Sequence, residues 1–311
     1  MNHATQPITG QLFDRLVQVH KKLSPPLIMG IVNLTPDSFS GDNIDPVASA
    51  QAAERAVLYA KAQAQAGAAI LDLGAQSTRP GSSPVSATEE RARLYPIVTH
   101  IKNIMPDQWL SIDTMKPEIA QEMLEQGAHI INDVMGGRDA DMLSLAKQQR
   151  CPIILMHNQA QDGDVVEYQK GITGFGGKAQ HNFMDRLVKE LEFIALRALD
   201  AGLDKTQIIL DPGIGFGKTI AQNLDVIQQL DLIKQLGYPV LIGASRKSFI
   251  GAITDHEQPA DRVFGTMAIH YQAALNGADM LRVHDVTAHQ DAMKIYHEFM
   301  KSTYMALGKT A

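Results

Sequence analysis

The 311 residues are 45% hydrophobic and 20% charged, enough to bury one large core, and the formal charge is −6. That balance excludes a generic nucleic-acid binder, though not a local basic pocket, and the single cysteine, Cys151, excludes an internal disulfide or a Cys-based zinc cluster. No apolar run approaches the roughly 20 residues of a membrane span, and the N-terminal stretch lacks the apolar segment of a signal peptide, so a soluble protein of the reducing cytoplasm is expected.

Residues 1–24 read as an extension that packs a short helix on the domain, and residues 25–305 as the domain itself. Within it, short apolar runs alternate with helical patterns. LIMGIV is followed by PVASAQAAERAVLYAKAQAQ, AAILDLG by SATEERARLYPIVTHI, and then come WLSID, HIIND, PIILMH and IILDPG. NLDVIQQLDLIKQL, VLIGAS and DMLRVH complete the series. Eight candidate strands separated by helical segments predict repeated βαβ units, hence a single-domain α/β fold of the (β/α)8 TIM-barrel kind; a doubly wound open sheet is the alternative. Cys151, at a strand entrance, reads as a small buried apolar residue. The long non-repetitive stretch Asn158–Lys178 is either a loop over the site or plain linker, its glycines fitting both.

A weak internal repeat sharpens the barrel reading. QAGAAILDLG, EQGAHIINDV and NGADMLRVHD each place a glycine suited to closing a helix ahead of an apolar run, and five residues after Gly67, Gly127 and Gly277 come Asp72, Asn132 and Arg282. Equal spacing predicts that three strands deliver a polar residue to one height of the sheet. Alternation further puts Arg282 and His284 on the same side.

The strand ends therefore carry Asn33, Asp113, Asn132, Asp211, Lys247, Arg282 and His284, which form one polar site. Asp113, Asn132 and Asp211 are acceptors at the ends of apolar strands, where each needs a polar partner. One of them alone would read as a helix cap or ion-pair partner; three at equivalent positions favour a ligand, such as a flat heterocycle rich in N–H donors. Asp133 alternates outward and reads as a helix cap, and Asp72 as a buried hydrogen-bonding group. Arg246, Lys247, Ser248, Arg282 and His284 cluster after strands seven and eight, where barrels bind phosphate, and Ser248 should open a helix. LDPGIGFGKT fails the phosphate-loop pattern at Pro212 and reads as a loop lining the pocket, with Phe216 as an aromatic wall. The histidines show no zinc-binding spacing, whereas a hydrated Mg²⁺ held by one side chain would leave almost no trace.

Taken in order, NLTPDSFS (Asn33–Ser40), STRPG (Ser77–Gly81), SIDT, INDV, LDPGIGFGK, SRKSFIG and RVHD resemble the dihydropteroate synthase family from about Leu27 to the last helix. The resemblance implies a pterin-binding barrel, a homodimer and a sulfonamide target. It implies condensation of 6-hydroxymethyl-7,8-dihydropterin diphosphate with para-aminobenzoate, giving 7,8-dihydropteroate and pyrophosphate, with Mg²⁺ assisting a dissociative substitution. By similarity, Asp113, Asn132, Met156, Asp211, Lys247 and Arg282 would bind the pterin. Asn33, Thr78, Arg79, Arg282 and His284 would bind the diphosphate, with Asn33 facing Mg²⁺. Thr78, Pro80, Phe216, Lys247 and Ser248 would bind the aminobenzoate, and Arg282, His284 and Lys247 would act in catalysis.

Three positions depart from the family pattern: Gly41 where an acid is usual, Gln76 where a glutamate is usual, and MHNQA in place of MHMQG. A folate-dependent methyltransferase with a similar barrel would not need SRKS, RVHD or STRPG, and a pterin-binding paralogue without turnover would retain the pocket alone.

Overall fold

The computed structural model describes residues 12, 14–16, 24–35, 47, 50–76, 84–158 and 183–306, with side chains as far as 302. Eight parallel strands run β1 (Leu27–Asn33), β2 (Ile70–Gly74), β3 (Trp109–Asp113), β4 (Ile130–Asp133), β5 (Ile153–Met156), β6 (Ile208–Asp211), β7 (Leu241–Ile242) and β8 (Met280–Val283). They pair in the order β6-β5-β4-β3-β2-β1-β8-β7, and a bridge between Leu210 and Val240 joins the two outer strands. The sheet is thus closed into the predicted barrel, and the open doubly wound alternative is excluded.

The helices are α1 (Ala50–Gln65), α2 (Ala87–Ile104), α3 (Pro117–Glu125), α4 (Ala140–Gln149), α5 (Phe183–Asp200), α6 (Ile220–Gln228), α7 (Leu230–Lys234), α8 (Ser248–Thr254), α9 (Val263–Leu275) and α10 (Val286–Ala306). Their starts follow from local chemistry. Ser86 accepts a hydrogen bond from the Glu89 amide at the head of α2, Pro117 opens α3, and Thr219 with Gln222 forms a capping box on α6. The pattern Asn223–Leu236, one helix by periodicity, is broken at Gln229 (φ −109°, ψ 31°) into α6 and α7, so the chain bends there around the barrel. Gly67, Gly127 and Gly277 have φ of 104°, 97° and 101°, the left-handed backbone predicted for the three equivalent turns.

Strand alternation divides the core in two. Outward residues such as Ile28, Leu71, Leu110, Ile131, Leu155, Leu210 and Leu281 pack against the helices. Inward residues Leu27, Met29, Ile70, Ile130, Ile154, Ile209, Leu241 and Met280 fill the barrel toward the strand starts. Leu12 and Leu16, on the described helical part of the extension, join this inner cluster at 1% and 2% exposure. Arg15 between them stands over the Trp109 ring at 5.2 Å. The lower end of the barrel is therefore sealed by apolar side chains, and polar inward residues begin one layer higher. Cys151 is buried just ahead of β5, and desolvation pushes its thiol up to about 12.

Candidate active site

Above the apolar layer the inward positions turn polar: Asp72, Ser111 and Asp113, Asn132, Asp211 and Arg282. The three residues predicted to share a height meet at one atom. Asp72 Oδ2 accepts from Arg282 Nε at 2.6 Å and from Asn132 Nδ2 at 3.1 Å. Arg282 Nη2 also donates to Asp113 Oδ2 at 2.7 Å, so one guanidinium spans two strand-end carboxylates. Burial favours the neutral carboxyl of Asp113 and, with Asp72 and Glu90 nearby, pushes its pKa up to about 7 against the pull of Arg282 and Lys247. Burial opposes the charge on Arg282, but Asp72 and Asp113 outweigh it and raise its pKa.

Asp211, opposite this group, is also raised by burial, and its Oδ1 accepts from the Gly213 amide at 2.7 Å. The loop that follows needs glycine at 213: φ is 68°, and a Cβ there would lie 2.1 Å from the His157 carbonyl. Lys218, 2% exposed, points beneath this loop, donating to the carbonyls of Gly213 (2.9 Å) and Phe216 (3.3 Å) and meeting His157 Nδ1 at 3.2 Å. His157 Nε2 in turn faces Glu190 at 2.5 Å. Desolvation takes Lys218 down to about 7 and His157 to about 4. The lysine of GFGK is thus a staple for the loop, which disposes of the phosphate-loop reading. Phe216, held by it, presents its ring to Lys247 Nζ at 4.1 Å.

On the other side of Arg282, His284 is fixed by Ser245: its amide donates to Oγ at 3.1 Å, and its Nδ1 lies 2.9 Å from the same oxygen. Arg246, grouped by sequence with the anion-binding residues, is instead drawn away by Asp285, with contacts of 2.6 Å and 3.1 Å. Ser248 opens α8 as expected, with Lys247 in the capping position.

Asn33 ends β1 in register with Gly74, and Met156 ends β5 in register with Asp211. Thr78, Arg79, Pro80 and Gly41 lie outside the described residues, as does most of the Asn158–Lys178 stretch. Asp133 points outward as predicted but does not cap a helix: it accepts from the amides of Met135 (2.9 Å) and Gly137 (2.6 Å), while Asp139 caps α4. Its carboxylate shapes the turn behind Asn132. Gln76 accepts from Lys116 at 2.6 Å, beside a Lys116–Glu90 ion pair. Asp72 is the buried hydrogen-bonding group expected from the repeat spacing, while Lys218, weighed in the sequence only as part of GFGKT, has a stapling role that no sequence signal marked. A cavity of about 650 Å³ opens beside the end of β5 and α5, lined by Met156, His157 and Glu190 together with Arg186, Lys189 and Arg197. Among the described residues no group of three or more His, Cys, Asp or Glu side chains is placed to hold a metal.

Residues 29–284 match the family described as pterin binding enzyme. The dihydropteroate synthase of Synechocystis sp. is 38% identical over 301 residues, covering 91% of this chain and 98% of the relative. The Xanthomonas albilineans dihydropteroate synthase, solved with 4-aminobenzoic acid, superposes with a TM-score of 0.77 at 37% identity, covering 89% of this chain and 94% of that one. The Thermus thermophilus enzyme, solved in complex with 6HMPPP, gives 0.71 at 38% identity over 89% and 95% of the two chains. On this fold and these matches the chain belongs to the pterin-binding enzyme family and, within it, to the dihydropteroate synthases, a group of transferases.

Proposed function

We propose that the barrel mouth condenses 6-hydroxymethyl-7,8-dihydropterin diphosphate with para-aminobenzoate. The observation that carries this reading is the guanidinium of Arg282, held between Asp72 and Asp113 with Asn132 on the same carboxylate oxygen. The carboxylate and amide oxygens of Asp113 and Asn132 offer acceptors for a heterocycle's N–H donors, and the guanidinium offers positive charge toward the loops of Lys247 and His284. The 6HMPPP named for the Thermus relative supports the reading of these two halves, and the 4-aminobenzoic acid named for the Xanthomonas relative supports the second substrate.

In this reading Asp113, Asn132, Met156, Asp211 and Lys247 hold the pterin, and Arg282 lies between its ring and its diphosphate. Asn33, His284 and the loop residues Thr78 and Arg79 bind the diphosphate, while Thr78, Pro80, Phe216, Lys247 and Ser248 surround the aminobenzoate. The bond from the methylene carbon to the diphosphate oxygen breaks first, its electron pair leaving with pyrophosphate; the aromatic amine nitrogen then bonds to that carbon and loses a proton. An aromatic amine is a weak nucleophile, so rate depends on easing departure of pyrophosphate. Arg282 and His284 offset the charge growing on it, and buried Asp113 and Asp211 favour positive charge developing on the pterin methylene, which makes the substitution dissociative.

Asn33 fits a Mg²⁺ site, because a neutral amide oxygen suits a hard cation that keeps water and phosphate oxygens as its other ligands. When bound, Mg²⁺ would neutralise charge on the leaving diphosphate. We further propose a homodimer, on the strength of the apolar side chains exposed on α8 and α9.

Incubating the purified protein with Mg²⁺, the pterin diphosphate and aminobenzoate should release pyrophosphate and dihydropteroate in equal amounts. Pterin binding without pyrophosphate release would leave a binding protein instead. A methylene carbon isotope effect as large as that of a concerted displacement would overturn the dissociative route alone.

A further inference from the structure

Two histidines that touch no substrate lie behind the anion-binding edge. His270 on α9 and His289 on α10 are both fully buried, their ring centroids 4.9 Å apart. His270 Nε2 lies 3.0 Å from the Ala244 amide, at the start of the loop carrying Ser245 and Lys247. His270 Nδ1 lies 2.8 Å from His289 Nε2, and His289 Nδ1 lies 2.7 Å from the Asp285 carbonyl, next to His284.

Only one arrangement of protons satisfies this chain. A backbone amide can only donate, so His270 Nε2 must carry its lone pair and Nδ1 the proton. That proton is given to His289 Nε2, which must then accept. The remaining proton of His289 sits on Nδ1 and goes to the Asp285 carbonyl. Both rings are therefore neutral Nδ1–H tautomers, and charging either one would set two N–H groups against each other. Burial pushes both rings' pKa values down, in keeping with this.

The connection runs from the β7–α8 loop to the β8–α10 turn, the two segments that present Lys247 and His284. Thr266, one turn ahead of His270 on α9, accepts from the Arg246 amide at 3.0 Å and grips the same loop a second time. Arg246 reaches across to Asp285 and closes the bracket. We propose that His270 and His289 are positioning residues: a proton-ordered strut that fixes the Ser245–Lys247 loop against His284, and so sets the spacing of the groups that bind the diphosphate. The proposal rests on the function proposed above for that edge.

Two measurements test it. Long-range ¹H–¹⁵N spectra of histidine-labelled protein, read without any ligand, should show His270 and His289 as Nδ1–H tautomers at neutral pH. An Nε2–H form or an imidazolium at either position overturns the strut, whether or not the enzymatic reading holds. In binding, His289→Gln keeps an acceptor near the Nε2 position, and His289→Met fills similar volume without one. His289→Met should weaken affinity for the pterin diphosphate about tenfold, as expected for one lost buried hydrogen bond, and leave affinity for the phosphate-free pterin unchanged. His289→Gln should stay within about threefold of the parent on the same scale. Equal affinities for the two variants would reduce the pair to packing, and equal losses for both ligands would reduce it to general stability. Absence of turnover by the parent, with the tautomers as stated, would sink the function and leave the strut.

Discussion

Asp72 supports Arg282 from below: its Oδ2 lies 2.6 Å from the guanidinium Nε, on a side chain with no exposure, while Asp113 engages the outer nitrogen at 2.7 Å. Arg282 is thereby fixed in both tilt and reach before any ligand arrives. Asp72→Asn should weaken this grip by about 1.5–3 kcal/mol, measured by urea unfolding, since a charge-assisted hydrogen bond becomes a neutral one. In kinetics the same variant should lose about 100-fold in kcat/KM, the scale of a misplaced catalytic group. Wild-type kinetics from Asp72→Asn would show that Asp113 alone orients the arginine.

The raised pKa of Asp113 predicts a pH dependence for ligand recognition. The carboxyl, about 7 in the folded protein, is ordinarily near 3.8, so the native state holds a proton that the unfolded chain releases. Its contribution to stability is complete below the unfolded value and is lost as pH rises through about 7. A heterocycle that donates N–H groups needs the ionised form, so affinity moves the opposite way. Affinity for the phosphate-free pterin, which removes phosphate ionisation from the measurement, should fall roughly tenfold per unit below pH 7 and level off above it. Calorimetric titration of Asp113→Asn should lose this step, leaving only the weaker dependence that the raised carboxyl of Asp211 contributes; a parent profile that is already flat rejects the assignment.

The barrel and most of its mouth were legible because both rest on periodicity. Alternation places Asp113, Asn132, Asp211 and Arg282 inward without knowledge of any partner, and the glycine-to-polar spacing put Asp72, Asn132 and Arg282 at one height, where they are in contact. What stayed hidden depends on partners brought together from distant segments. Arg246 looked like an anion ligand, but Asp285, 39 residues later, draws it away. Asp133 looked like a helix cap because its outward direction was readable and the turn at Met135–Gly137 was not. Pro212 already ruled out a phosphate loop, but the staple that Lys218 forms stayed hidden because one of its partners, His157, lies 61 residues earlier.

The inner apolar cluster separates stability from activity. Leu16 is 2% exposed and packs with Leu27, Met29 and Met280 in the end of the barrel away from the polar mouth. Leu16→Ala should destabilise the fold by roughly 2–4 kcal/mol, read from the urea midpoint at constant slope. Pterin affinity should not change, because the polar layer stands on the strands rather than on this leucine. A large affinity loss with little loss of stability would mean that the extension communicates with the mouth.

Phe264 is 87% exposed and Ile253 is 50% exposed, on the adjoining helices α9 and α8. Apolar side chains of this size are costly to leave in water, and covering them with a second copy removes the cost. If the proposed homodimer forms through this face, the parent should sediment as a dimer and Phe264→Glu as a monomer, with the far-ultraviolet circular dichroism unchanged. A parent protein that sediments as a monomer at micromolar concentration would rule the dimer out.

Lys218 is the buried cation on which the loop beneath Phe216 depends. Lys218→Met removes the donor to the Gly213 and Phe216 carbonyls; the first keeps the Phe216 amide at 3.1 Å, so the penalty of about 1–3 kcal/mol falls on the second. It also removes a charge that desolvation has taken down to about 7 from 10.5. Between those two values the unfolded chain binds more protons than the native state, so the parent should gain stability as pH rises, on the order of 1 kcal/mol per unit, and the variant should not. Urea unfolding at pH 7 and pH 9 measures both effects, the offset between the proteins and the slope within each. A variant that keeps the parent's slope would place the titrating group elsewhere, and one that matches the parent at pH 7 would show that the glycine-rich turn holds its shape without the staple.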